Sequence, residues 1–303
     1  AFSSCSSLTS IEIPDGVTSI KGWTFARCES LLSVVIPNSV TSIGQHAFDS
    51  CKALKSVVIP DGVTVIDLGG FGNCYSLNSV TIPDGVTTIG DAAFSCCGKL
   101  KGLLLPDSLI SIGNSVFKDC NELKEVNIPN GVTSIGRMAF CGAKKLTKIV
   151  LPNSITSIES MAFMGCFGLE GIQLPKSLTY IGDNAFAMSG LKSIIIPESI
   201  ESINSEVFYN CKSLRNIRLT DNIIKLAVLN HNRDKIQDGI SDRELLHCKI
   251  IRDADKLDIY NVILTDPLEA VYPLDRYPKE GITKEIKEAF LYAMKEGIPN
   301  TSC

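Results

Sequence analysis

The sequence predicts an α+β chain: a solenoid of about ten 23-residue coils with a parallel β-sheet along one side, then a small helical C-terminal segment. Three observations predict it. Phenylalanine recurs every 23 residues from Phe2 to Phe186, and Phe208 follows after 22 because "AMSGL" is one residue short. An Ile-Pro or Leu-Pro pair keeps the same beat from Ile13-Pro14 through Leu105-Pro106 to Ile196-Pro197. After Leu219 the beat stops and the charge density about doubles. Residues 1–219 carry 17 basic and 18 acidic side chains, and residues 220–303 carry 12 and 15, so the chain divides there into a repeat region and a tail.

Each element of a coil has a reason. In "SLLSVVIP", Leu31, Val34 and Ile36 point inward while Ser33 and Val35 alternate outward, as a short strand requires. Pro37 stops the strand because it cannot donate to a ladder. The following "VTSIG" is expected as a half-turn that returns Val40 and Ile43 to the interior, with Ala47 and Phe48 filling the far side. A single coil cannot bury these side chains alone, so coils stack around a continuous core. Two stretches depart from the pattern. "VIDLGG" at 65–70 replaces the usual "SIGxxA", and "RLTDN" at 218–222 lacks the proline. The glycines Gly69, Gly70 and Gly72 therefore replace a coil turn and do not open a phosphate-binding helix.

Cysteine stands three residues after phenylalanine in eight coils: Cys5, Cys28, Cys51, Cys74, Cys97, Cys120, Cys166 and Cys211. Stacking brings these thiols within the spacing that disulfides allow. Ala143 and Ser189 fill the same position elsewhere, which predicts a column of small packing residues that act as hydrophobes. Cys96 and Cys141 lie off this register.

The outward strand position between the two inward aliphatics reads Glu12, Val35, Val58, Thr81, Leu104, Asn127, Val150, Gln173, Ile195 and Arg218. Half of these are apolar, which a solvent face does not require. The run Val35, Val58, Thr81, Leu104, Asn127 and Val150 is therefore a candidate binding surface for a protein or a glycan. The strand preference of β-branched residues is the competing explanation.

A formal net charge of −4 gives no electrostatic case for nucleic acid or an anionic membrane. No apolar run reaches the roughly 18 residues needed to span a bilayer, so membrane insertion is not expected. The chain opens on "AFSSC", the middle of a coil, and is expected to be a fragment of a longer protein. The consensus L-x-S-I-x-I-P-x-x-V-T-S-I-G-x-x-A-F-x-x-C, with a period inside the leucine-rich-repeat range, resembles the BspA-type leucine-rich repeats over residues 1–219. That resemblance implies a surface or host-interaction protein of bacterial type that binds and does not catalyse.

Helical periodicity governs the tail. "DNIIKLAVLNHN" reads as a helix capped by Asp221 or Asn222, and residues 221–240 are expected to cap the last coil. A second helix starts at Ser241 with Glu244 at capping-box spacing, and a third follows Thr283. On the second helix Asp255 shares a stripe with Cys248, Ile251, Ile259 and Val262, so its carboxylate wants a cation or a basic partner.

The tail sequence "HNR…KIIRDADKLD" resembles the C-terminal half of HD-superfamily metal-dependent phosphohydrolases, from about residue 221 to about residue 295. The resemblance implies that Asp255 holds a divalent metal and that His231 lines the site. It departs from the family where the first His and the His-Asp pair should stand, because repeats occupy that sequence and no "HD" dipeptide occurs. A catalytic metal site usually needs three protein ligands. The expectation is a binding module with an incomplete, inactive HD-type tail and no cofactor. The alternative is a phosphohydrolase with a divalent metal and the repeats as targeting arm. Surface location follows if a signal precedes Ala1, and cytoplasmic location if the HD resemblance governs. Neither the partner nor the oligomeric state is set by the sequence.

Overall fold

A computed structural model describes residues 1–200 and 203–219. The chain winds as a parallel-sheet solenoid in which each coil lies one strand spacing from the next. One column of strands comprises Ser10–Glu12, Ser33–Val35, Ser56–Val58, Ser79–Thr81, Glu125–Asn127, Lys148–Val150, Ser193–Ile196 and Asn216–Leu219. Pairing is parallel with a register of one repeat, as in Glu12↔Val35, Val58↔Thr81 and Asn127↔Val150. Inside this column Val57, Val126 and Ile149 are buried, as the alternation predicts.

The expected half-turn forms a second ladder. Ser19–Ile20, Ser42–Ile43, Val65–Ile66, Thr88–Ile89 and Ser111–Ile112 pair as one five-stranded sheet, and Ser134–Ile135, Ser157–Ile158 and Tyr180–Ile181 pair as another. Stacking at strand spacing brings these backbone groups together even where only two residues are extended.

A third set of hydrogen bonds crosses coils on the phenylalanine side. Trp23, Phe25 and Arg27 donate their N–H groups to the carbonyls of Gln45, Ala47 and Asp49 at 2.7–2.9 Å. Residues two before and two after each phenylalanine take positive φ to aim those groups, among them Trp23 (62°), Arg27 (61°), Ala92 (54°) and Cys96 (61°). Left-handed backbone costs a non-glycine residue about 1–2 kcal/mol, and the repeated ladder offsets it.

Phenylalanine rings from Phe2 to Phe208 stack along the axis with centroids 5.2–6.0 Å apart. The inner ones, from Phe48 to Phe186, are fully buried. Burying each is worth roughly 2–3 kcal/mol against the unfolded chain.

Two coils lack a strand in the first column, at 101–105 and 171–174. Both carry glycine, Gly102 and Gly171, where Ser33, Ser56 and Ser79 begin the strand in other coils. Glycine weakens a strand by its freedom and its missing side chain. Among the described residues no backbone hydrogen bond is donated by Gly102, Leu103, Leu104 or Leu105.

Candidate sheet-face binding surface

The outward side of the first strand column carries the predicted stripe. Val35, Val58, Thr81, Leu104, Asn127 and Val150 are all exposed, from 45% at Val150 to 85% at Leu104. Parallel register sets successive side chains about 4.8 Å apart. Val35 and Val58 stand on adjacent coils, while Thr81 separates them from Leu104 and Asn127 separates Leu104 from Val150.

The break at Gly102 shapes this stripe. An open groove of about 630 Å³ lies between the strands on either side of the break, lined by Thr81, Leu104, Asn127, Asp84, Gly102 and Glu125 among others. Three of the six stripe residues therefore converge on one concavity. A smaller groove of about 320 Å³ joins Glu12, Asp15, Val35 and Pro37.

Charge flanks the stripe in an ordered way that the sequence reading did not single out. Three residues before the stripe stand Lys55, Lys101 and Lys124, and three residues after it stand Asp15, Asp61, Asp84 and Asp107, all exposed. Tabulating these two columns of the repeat would have revealed them. Around the groove the basic side dominates: Lys99, Lys101, Lys124, Lys144, Lys145 and Lys148 face only Glu122 and Glu125. A 2.8 Å ion pair joins Lys145 to Glu122. The hydrogen bond from Lys145, with the charges of Lys101 and Lys124 behind it, holds the Glu122 carboxyl below its usual range. Among the described residues Lys101, Lys124 and Lys148 make no ion pair.

The cysteine column has different chemistry. Cys28 to Cys120, Cys166 and Cys211 are buried and free. Burial pushes the Cys51 thiol up to about 12 and raises those of Cys74, Cys97, Cys120 and Cys166. These groups stay protonated at neutral pH, so they are poor nucleophiles and poor metal ligands. Each thiol instead donates to a phenylalanine carbonyl of the preceding coil, as Cys51 does to Phe25 at 3.2 Å and Cys74 to Phe48 at 3.3 Å.

His46 stacks on Trp23 with centroids 4.2 Å apart and lies 3.8 Å from Asp49. Among the described residues no cluster of three His, Cys, Asp or Glu side chains is placed to hold a metal, and no helix is long and apolar enough to cross a membrane. The predicted ligands His231 and Asp255, and the predicted tail helices, lie outside the described residues.

Comparison with known proteins agrees with this architecture. The profile of the BspA type leucine rich repeat region matches residues 1–124 and 110–230, with six copies. Among solved structures, a leucine-rich repeat protein from Bacteroides ovatus is 30% identical with a TM-score of 0.65. That match covers 71% of this chain and 64% of the other, so this chain spans less than two thirds of that relative. A leucine-rich repeat protein of T. pallidum is 35% identical with a TM-score of 0.50, over 53% of this chain and 78% of the other. No curated protein sequence matches the chain.

Proposed function

This chain belongs to the BspA-type leucine-rich repeat family, and from that premise we propose that it is a protein-binding module whose sheet face is the contact surface. The observation that carries the reading is Leu104, 85% exposed in the groove, with Val35, Val58 and Val150 exposed in the same column of the face. Exposed aliphatic side chains of this kind lose water favourably against a partner. A glycan fits less well, because sugar rings stack on aromatic faces. The exposed aromatics Trp23, Tyr75, Phe167, Tyr180 and Tyr209 stand off this stripe.

The test is an array of purified proteins probed with the native chain and with Leu104→Arg. Signals should fall about tenfold or more in the variant, the loss expected when a buried apolar anchor becomes a charge, while its melting temperature stays unchanged. Undiminished signals, or none with either chain, would dispose of the sheet face as a protein-binding surface.

A second reading concerns the tail and is supported by its sequence alone. "KIIRDADKLD" favours residues 221–295 as an HD-type segment in which Asp255, with His231, leans toward a divalent cation. The incomplete ligand set favours an inactive segment over a phosphohydrolase. Metal analysis of the purified chain and of Asp255→Ala decides between them: near-stoichiometric metal lost in the variant supports the phosphohydrolase, and its absence supports the inactive tail.

A further inference from the structure

We infer that the groove at the Gly102 break takes an acidic linear peptide, with an aliphatic anchor against Leu104 and carboxylates on the Lys101 and Lys124 side. The inference rests on the sheet-face reading above and specifies its partner.

The first support is shape. The first strand column is interrupted between Ser79–Thr81 and Glu125–Asn127, and the groove of about 630 Å³ opens there. Gly102 has no atom within 4 Å of where a Cβ would stand, so this spot on the face is open to an incoming chain. The backbone of Gly102 to Leu105 donates no hydrogen bond among the described residues, so this segment is not held in the ladder that flattens the rest of the face.

The second support is charge. Lysines crowd only the strand-start edge of the groove. Lys101 belongs to the groove's own coil, Lys124 precedes its lining residue Glu125, and Lys148 lies in register with Glu125. In the coils before the groove the same edge carries Lys55 alone beyond the pair of Glu29 with Lys52 at 2.8 Å. The far edge is acidic, with Asp84 in the lining and Asp107 just beyond Pro106. Lys101 and Asp107 each lie three residues from Leu104, about 10 Å along an extended chain. A peptide crossing the face along the strands therefore meets lysine, then Leu104, then aspartate. Its acidic residues belong on one side of the anchor only.

A randomised peptide library panned on the whole chain tests this. The expected selection is an aliphatic residue with Asp or Glu on one side and not on the other. Affinity should fall about tenfold or more in Lys101→Glu/Lys124→Glu and in Leu104→Arg. It should also fall as salt rises from about 0.05 to about 0.5 M. Melting temperatures confirm that each variant is folded. Peptides that need Leu104 but are neutral or basic, or that ignore the lysine reversal, overturn the acidic partner and leave the sheet-face reading standing. Peptides that ignore Leu104→Arg overturn both. Heparin binding that needs the lysines and ignores Leu104, without any selected peptide, overturns the peptide in favour of a sulfated glycan.

Discussion

Cys74 shows what one residue type does when a fold repeats it. The sequence places it among small packing residues, and it is fully buried. What the sequence conceals is the bond from its thiol to the Phe48 carbonyl, 26 residues earlier, because that contact exists only across coils. A pH dependence follows from the raised thiols. Unfolded cysteine loses its proton near 9.0, while burial holds Cys51 up to about 12. Below about pH 9 both states keep the proton and these groups add no slope. Above it the unfolded chain alone deprotonates, so stability falls by about 1.4 kcal/mol per pH unit for each such thiol until the folded value is reached. Urea midpoints measured between about pH 8 and about pH 10.5 in reductant should drop above about pH 9. The drop should be shallower in Cys74→Ala. A flat profile would contradict the assignment. Gly69 makes a similar point. Its positive φ of 60° is shared by Trp23, His46, Ala92 and Ser115, so backbone geometry alone does not demand glycine. The imidazole of His46 occupies the space where a Cβ on Gly69 would stand. The sequence marks this glycine as a replaced turn, and only the packed neighbour explains it.

At the scale of elements, the first strand column was legible from alternation, and the second was not. "TSIG" contributes only two extended residues per coil, too few for a periodicity to register, and the pairing partner is 23 residues away. The breaks at Gly102 and Gly171 were legible in principle, since both stand where serine usually begins the strand. Because a side chain at Gly102 would meet nothing within 4 Å, Gly102→Ser should restore the ladder. The expected gain is about 0.5–1 kcal/mol. Urea unfolding checks the gain, and slower amide exchange at Leu103, Leu104 and Leu105 checks the pairing. Neither change would mean that glycine is not what breaks the strand. A restored strand would also flatten the groove and weaken any peptide held there.

For the whole molecule, the sequence by itself determined the solenoid, its period, its core and the exposed stripe. Each of these is a one-dimensional property: a residue recurring every 23 positions must recur in space once coils stack, so Phe25 meets Phe48 and Val35 lies beside Val58. Only the tertiary structure decided the groove at coil five and the polarity across it. Both depend on how strands at 79–81 and 125–127 frame an unpaired segment, and on which lysines and aspartates then face one opening. Those are relations between coils at one place along the axis, and a repeat pattern carries no information about where its own regularity fails.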